Sequence, residues 1–331
     1  MQYHLTILVI SLLVNFCVSL QPADKNANAK TRAIFDFIGG LPQQGKYLSG
    51  QFAGWSNISF NLSQINEIEN LTGHTPALIG CDYAAGWATG PPPSQIDYSC
   101  NEYLKDHSNK RGLVQIEDHF PNPVFPDGGG LRNKSNLVFS DLLKPETETG
   151  KRWRLYLDVV AEGLNDLQQA DVTALYRPFH EMNGGWFWWG QQNPSEFHAV
   201  WQSLFNYFCN EKNLHNLLWV FAPDQGAPTP SMYYPGDDYV DIVALDVYVD
   251  DPEKTHGYDE MIKLNKPFAL GEVGPHTPNG SFDYSLWSTA IPNHFKLVSY
   301  FHAWNDMWSP IREKNAYALY NNPHVINRDQ I

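Results

Sequence analysis

Positive charge is in short supply in this chain. Lys and Arg number 22 against 36 Asp and Glu, a formal net charge of −14 over 331 residues. That balance argues against nucleic acid as a partner, because a phosphate backbone is held by clustered cations. It argues equally against an anionic membrane surface. Cysteine is scarce too: there are four, with no Cys-x-x-Cys pair, so the usual signature of structural zinc is missing. His294 and His302 do not stand at zinc-ligand spacing, and Asp237-Asp238 and Asp250-Asp251 lack a full calcium-loop pattern and read as solvated turns. No Gly-x-Ser-x-Gly elbow points to a serine nucleophile. No linker, low-complexity tract or solenoid-length repeat divides the chain, which makes one domain the simplest organisation.

Long apolar runs are also missing, apart from residues 5–18. That run is short for a membrane span and is followed by the small residue Ser19. It reads as a secretory signal peptide over residues 1–19, removed near Ser19 or Leu20, although the first four residues carry no Lys or Arg. The expected location is therefore extracellular. Asn57, Asn61, Asn70, Asn133 and Asn279 each open an Asn-x-Ser/Thr sequon, which fits export. Once Cys17 leaves with the signal peptide, Cys81, Cys100 and Cys209 remain. An oxidising compartment permits one disulfide. Cys81 and Cys100 are nearest in sequence and are the favoured pair, with Cys209 a buried thiol in an apolar segment.

Aromatic residues are plentiful, at 14% of the chain and including 11 Trp. Many must pack in a core, but the flat apolar face of an indole also matches the C–H face of a sugar ring. Eight short runs rich in β-branched and aromatic residues read as buried strands, over 47–51, 77–83, 112–119, 174–181, 216–222, 240–248, 268–274 and 298–304. Helical patterning, as over 61–72 and 196–209, lies between them. Strand and helix in alternation imply parallel βαβ units, and eight such strands suit an α/β fold of the closed (β/α)8, or TIM-barrel, type. An open doubly wound sheet would announce itself with a glycine-rich turn after its first strand; here Gly128-Gly129-Gly130 follows a proline-rich loop instead. Pro178 is an unusual occupant of the fourth strand. His119, Glu181, Tyr248, Glu272 and Trp304 all fall at or near C-terminal strand ends, the end of a barrel where active sites form.

The densest chemistry lies between Tyr176 and Gly190. Glu181 stands among Trp186, Trp188 and Trp189, where partial desolvation would hold its carboxyl protonated, as a general acid requires. A solvated strand-end glutamate is the ordinary alternative. Trp188 and Trp189 are adjacent, so both cannot face one cleft. Glu272 follows Gly271, which lets other groups come close. Strand alternation puts Leu270 with Glu272 on one face, and Arg177 with Glu181 on another. Arg177 is then placed to keep a neighbouring carboxylate charged, or to form a structural ion pair in the barrel mouth. Two carboxyl groups, one protonated and one ionised, are the minimum machinery for glycosidic cleavage.

The segment His180-Glu181-Met182-Asn183-Gly184-Gly185-Trp186 resembles the acid/base motif of glycoside hydrolase family 26, mainly endo-β-1,4-mannanases, and Gly271-Glu272 resembles its nucleophile motif. The resemblance runs from about Lys46 to the C-terminal region. It implies a retaining mechanism in which Glu272 forms a covalent glycosyl-enzyme and Glu181 serves as acid and then base. By position it further implies that His180 is the histidine just before the acid/base, that Tyr248 hydrogen-bonds the nucleophile, and that His119, Trp186 and Trp304 line the substrate site; His180, Tyr248 and Arg177 are counted with these as substrate-binding residues. After Trp304 some relatives carry Arg where this chain has Asn305, which argues against a tight second glycone subsite of their kind. Residues 20–40 become an N-terminal extension and first helix, and 41–331 the catalytic barrel. The expected partner is a mannan, glucomannan or galactomannan, attacked by a monomer with no metal and no organic cofactor. Cleavage of β-1,3-xylan or mixed-linkage β-glucan is the alternative within the family. A sugar-binding barrel without turnover is the alternative outside it, and would be marked by loss of one of the two glutamates.

Overall fold

The computed structural model describes residues 21–134 and 137–331. The expected signal peptide, with Cys17, lies outside the described residues. Eight parallel strands run in chain order: β1 Gly50–Trp55, β2 Leu78–Ala85, β3 Leu113–His119, β4 Ala174–Pro178, β5 Leu217–Phe221, β6 Ile242–Tyr248, β7 Phe268–Gly274 and β8 Val298–Ala303. Each pairs with the next, and β1 closes on β8 where Gln51 lies opposite Ala303. The Gln51 side-chain amide reinforces that seam by donating to the carbonyls of Ala303 and Trp304 at 3.3 and 3.1 Å. The molecule is a (β/α)8 barrel. Its strands read as continuous apolar runs because strands of a parallel barrel are covered on both faces. Among the described residues no helix is long and apolar enough to cross a membrane.

The helices between strands follow ordinary start signals. Pro194–Asn206 opens with proline behind Asn193, whose side chain accepts from the Ser195 amide. Glu148–Gln169 opens behind Thr147, which accepts from the Gly150 amide. Ala29–Gly40 is different in role: its Phe35 and Ile38 join Leu113, Leu175, Leu218, Ala244 and Ala269 in the apolar floor of the barrel. Above this floor the interior turns polar. Gln115 bonds His302 at 3.0 Å, and Gly80 leaves the space that the His302 ring occupies. Arg177 and its carboxylate partners form the next layer, so the apolar floor seals one end and the chemistry lies at the other.

Several sequence-based boundaries shift. Tyr47–Leu48 pairs with Val325–Ile326, and the first barrel strand begins only at Gly50. The fourth strand stops at Pro178, not at Glu181. Its ladder to β5 has already ended at Tyr176, so the missing proline N–H leaves no gap. The helix expected over 196–209 loosens at Tyr207–Glu211 into a π-type turn. Cys81 and Cys100 are bonded, with Cα atoms 6.8 Å apart, tying β2 to the start of helix Asn101–Asn109. Cys209 is a buried free thiol.

Candidate active site

Arg177 is the centre from which the site is built. It points inward from β4 and is fully buried. Its guanidinium donates to Asp246 of β6 at 2.7 Å, and at shorter range to Glu117 of β3 and Glu272 of β7. One planar cation thus fixes carboxylates from three strands, a use that suits the rigid fork of arginine. Burial pushes the Glu117 and Asp246 carboxyls up, against the pull of Arg177. The other oxygen of Glu272 accepts from the Tyr248 hydroxyl at 2.6 Å. Both oxygens of Glu272 therefore accept hydrogen bonds, one from Arg177 and one from Tyr248.

Glu181 reaches the same space differently. Just past the end of β4 the chain adopts left-handed conformations at Phe179 (φ 51°) and Glu181 (φ 54°), an uncommon state for residues with a Cβ that marks a constrained turn. The Glu181 amide donates to Ala222 beyond β5 at 2.7 Å, which anchors the turn. Its carboxylate accepts from the Trp186 indole. Burial, reinforced by the charges of Glu272 and Asp224, raises the Glu181 carboxyl well above the ordinary range. Carboxylate oxygens of Glu181, Asp246 and Glu272 lie within 4.8 Å of one another. A divalent cation could bridge such a trio, but Arg177 already supplies positive charge to two of its members.

Beside this pair runs a groove of about 740 Å³ lined by Trp55, Trp87, His119, Arg132, Phe187, Trp304 and Trp308, among others. Trp304 stacks on Phe52, with ring centres 4.1 Å apart and planes 12° apart, so its other side is left for the groove. Trp55 meets Trp87 and Trp304 edge-on at 5.0 and 5.7 Å. Such aromatic walls suit the C–H faces of a sugar chain.

The sequence profile of Glycosyl hydrolase family 26 matches residues 23–330. The chain belongs to that family and is a glycoside hydrolase. A mannan endo-1,4-beta-mannosidase of Bacillus subtilis is 38% identical, across 95% of this chain and 90% of its own. Its counterpart in strain 168 is 37% identical, across 100% of this chain and 96% of its own. In structure, the Bacillus subtilis mannanase BCman superposes with a TM-score of 0.90 at 39% identity, covering 93% of this chain and 95% of that one.

Of the residues singled out in this family 26 hydrolase from sequence, Glu181, Glu272, His180, Trp186, Tyr248, His119 and Trp304 all converge on the same barrel mouth. Arg177 does not line the groove: with no exposed surface and three carboxylate partners it holds Glu272 from below. It does not share a strand face with Glu181, because the chain has left the strand by then. Leu270 and Glu272 also lie on opposite faces. The β6–β7 register skips Gly271, pairing Leu245 with Leu270 and Asp246 with Glu272. This bulge turns Leu270 out toward the helices and Glu272 in. Trp188 and Trp189 both pack away from the groove, their indoles donating to the carbonyls of Phe120 and His180 at 2.7 and 2.8 Å. The Asp237 and Asp250 carboxylates accept from Tyr234 and Thr277 as turn residues do. Sequence reasoning missed Glu117, Asp246 and Asp82, and the walls Trp55, Trp87, Phe187 and Trp308. Glu117 and Asp246 could have been found, since each precedes a chosen residue, His119 and Tyr248, by one full strand period.

Proposed function

We propose that this enzyme cleaves internal β-1,4 bonds of mannan-type polysaccharides outside the cell, as a single subunit, with retention of anomeric configuration. Glu272 attacks the anomeric carbon and forms a glycosyl-enzyme while Glu181 protonates the departing oxygen. Glu181 then takes a proton from the water that releases the sugar. The observation that carries this reading is the contrast between two carboxyl groups that share one space. Glu272 is held by Arg177 and Tyr248, whereas burial and negative neighbours push the Glu181 carboxyl up, toward its acid form. Their oxygens approach within 4.8 Å, in keeping with the separation of about 5–5.5 Å between carboxyl groups in retaining enzymes and short of the wider gap that admits an inverting water. The substrate class follows from the relatives, which act on mannan. Export is supported by the apolar leader, the Cys81–Cys100 bond and the exposure of the five sequon asparagines.

Linear β-1,4-mannan, β-1,3-glucan and β-1,3-xylan should be digested in parallel, with reducing ends and the first-formed anomer followed by NMR. Short manno-oligosaccharides appearing with the β anomer are expected. Release from xylan alone, or an initial α anomer, would reject the substrate or the stereochemistry. Glu181→Gln should lower kcat/KM on mannan by about 10²–10⁴-fold, the usual contribution of a general acid–base. An aryl mannoside with a good leaving group needs no protonation, so it should still show a burst. Wild-type activity should fall as pH rises through the Glu181 pKa and the acid form is lost. That limb should be missing for the variant with the aryl substrate.

A further inference from the structure

From beneath one wall of the groove, three buried side chains, of which His119 lines it, form a line that ends near Glu272. Asp82, on β2, has no exposed surface. Its Oδ1 accepts from the amides of Ala84 and His119 at 2.7 and 3.1 Å, and its Oδ2 meets His119 Nδ1 at 2.5 Å. On the far side of the imidazole, His119 Nε2 lies 3.1 Å from His180 Nε2. His180 Nε2 is in turn 3.9 Å from Glu272 Oε1. Two ring nitrogens at hydrogen-bond distance must share one proton, one donating and the other accepting. Which does so is set by the partner at the opposite ring nitrogen.

We propose that Asp82 is a positioning residue for the reaction. By accepting from His119 Nδ1–H, it makes His119 Nε2 an acceptor and so fixes His180 as the Nε2–H tautomer beside Glu272. A second observation agrees. Among the described residues His180 Nδ1 has no hydrogen-bond partner, and an orphaned lone pair costs less there than an orphaned N–H. Burial lowers the basicity of both rings, His119 to about 4 and His180 well below its ordinary value. Burial pushes the Asp82 carboxyl up as well, while the amides of His119 and Ala84 favour its charged form; with both rings uncharged, a tautomer is defined for each. In this arrangement the His180 nitrogen that lies 3.9 Å from Glu272 carries a proton, which it donates to His119. In the reversed arrangement that nitrogen carries no proton and its lone pair accepts from His119 instead. This proposal rests on the assignment of Glu272 as the nucleophile.

The test is ¹⁵N NMR of the histidine-labelled enzyme without substrate, which reads each ring's tautomer directly. The wild type should show Nδ1–H for His119 and Nε2–H for His180. In Asp82→Asn the two backbone amides hold the side-chain oxygen, so the new NH₂ faces His119 Nδ1. Both tautomers should invert, and kcat should fall by about 10–100-fold, as on loss of a supporting partner, with little change in KM. Opposite tautomers in the wild type would overturn the proposal even if the variant did not fold. So would unchanged tautomers in the variant, or inverted ones with an undiminished kcat. None of these outcomes touches the roles of Glu181 and Glu272, because the tautomers are read independently of turnover.

Discussion

Glu272→Gln should reduce hydrolysis of mannan by on the order of 10⁴-fold or more, comparable to loss of a central nucleophile in other enzymes. The amide can still accept from Arg177, so folding should survive, but it cannot form the covalent bond that divides the reaction into two easier steps. Activated aryl mannosides should not rescue it, because their advantage lies in the leaving group and the missing group is the attacker. This separates Glu272 from Glu181, whose variant should still show a burst with such substrates. Glu272→Ala opens space for a small anion. With azide it should form the α-mannosyl azide, since the anion attacks from the face that Glu272 occupied. Full activity of Glu272→Gln on mannan, after mass spectrometry has excluded deamidation back to Glu, would remove Glu272 from the reaction.

Arg177→Met should destabilise the fold by about 3–5 kcal/mol at neutral pH, the typical cost of removing one partner from a buried ion pair. Glu117, Asp246 and Glu272 would then face each other across a desolvated space with no cation. Their carboxyls would respond by holding protons more tightly in the folded state than in the unfolded one. A carboxyl with a raised folded-state pKa favours folding below its unfolded pKa and opposes it as pH rises. The deficit of the variant should therefore shrink in mild acid and grow toward neutrality. Urea midpoints for wild type and variant at pH 4 and pH 7 would show this. An equal deficit at both values would mean that lost packing, not lost charge, is the cause.

Much of the scaffold could be read from the residues because burial on both faces writes parallel strands as apolar runs. The eight runs and the placement of His119, Tyr248, Glu272 and Trp304 near their ends follow from that one fact. What escaped depends on single backbone states with no composition signal. The left-handed turn at Glu181 and the bulge at Gly271 each re-aim a glutamate, and simple alternation placed both side chains with the wrong neighbours. Asp82 was hidden in a different way. An aspartate between Cys81 and Tyr83 in an otherwise apolar strand is costly unless partnered, but its partner stands on the next strand, and pairing register is not visible along one chain. Of the groove walls, Trp55 lies beyond the first run read from sequence, 47–51, and Trp87 lies in a loop; residues of that kind are located only by coordinates.

The bond between Cys81 and Cys100 sits where neither sulfur meets solvent. A dissolved thiol must reach a sulfur in line to exchange with it, so the native enzyme should keep this crosslink in a reductant that would open a surface disulfide at once. The crosslink becomes vulnerable only in molecules whose β2 segment has already come loose. Reducing agents would then act on the lifetime of the enzyme under thermal stress and leave its working rate untouched. The segment that this staple spans carries Trp87 on one wall of the groove, so the same bond limits how far that wall can stray.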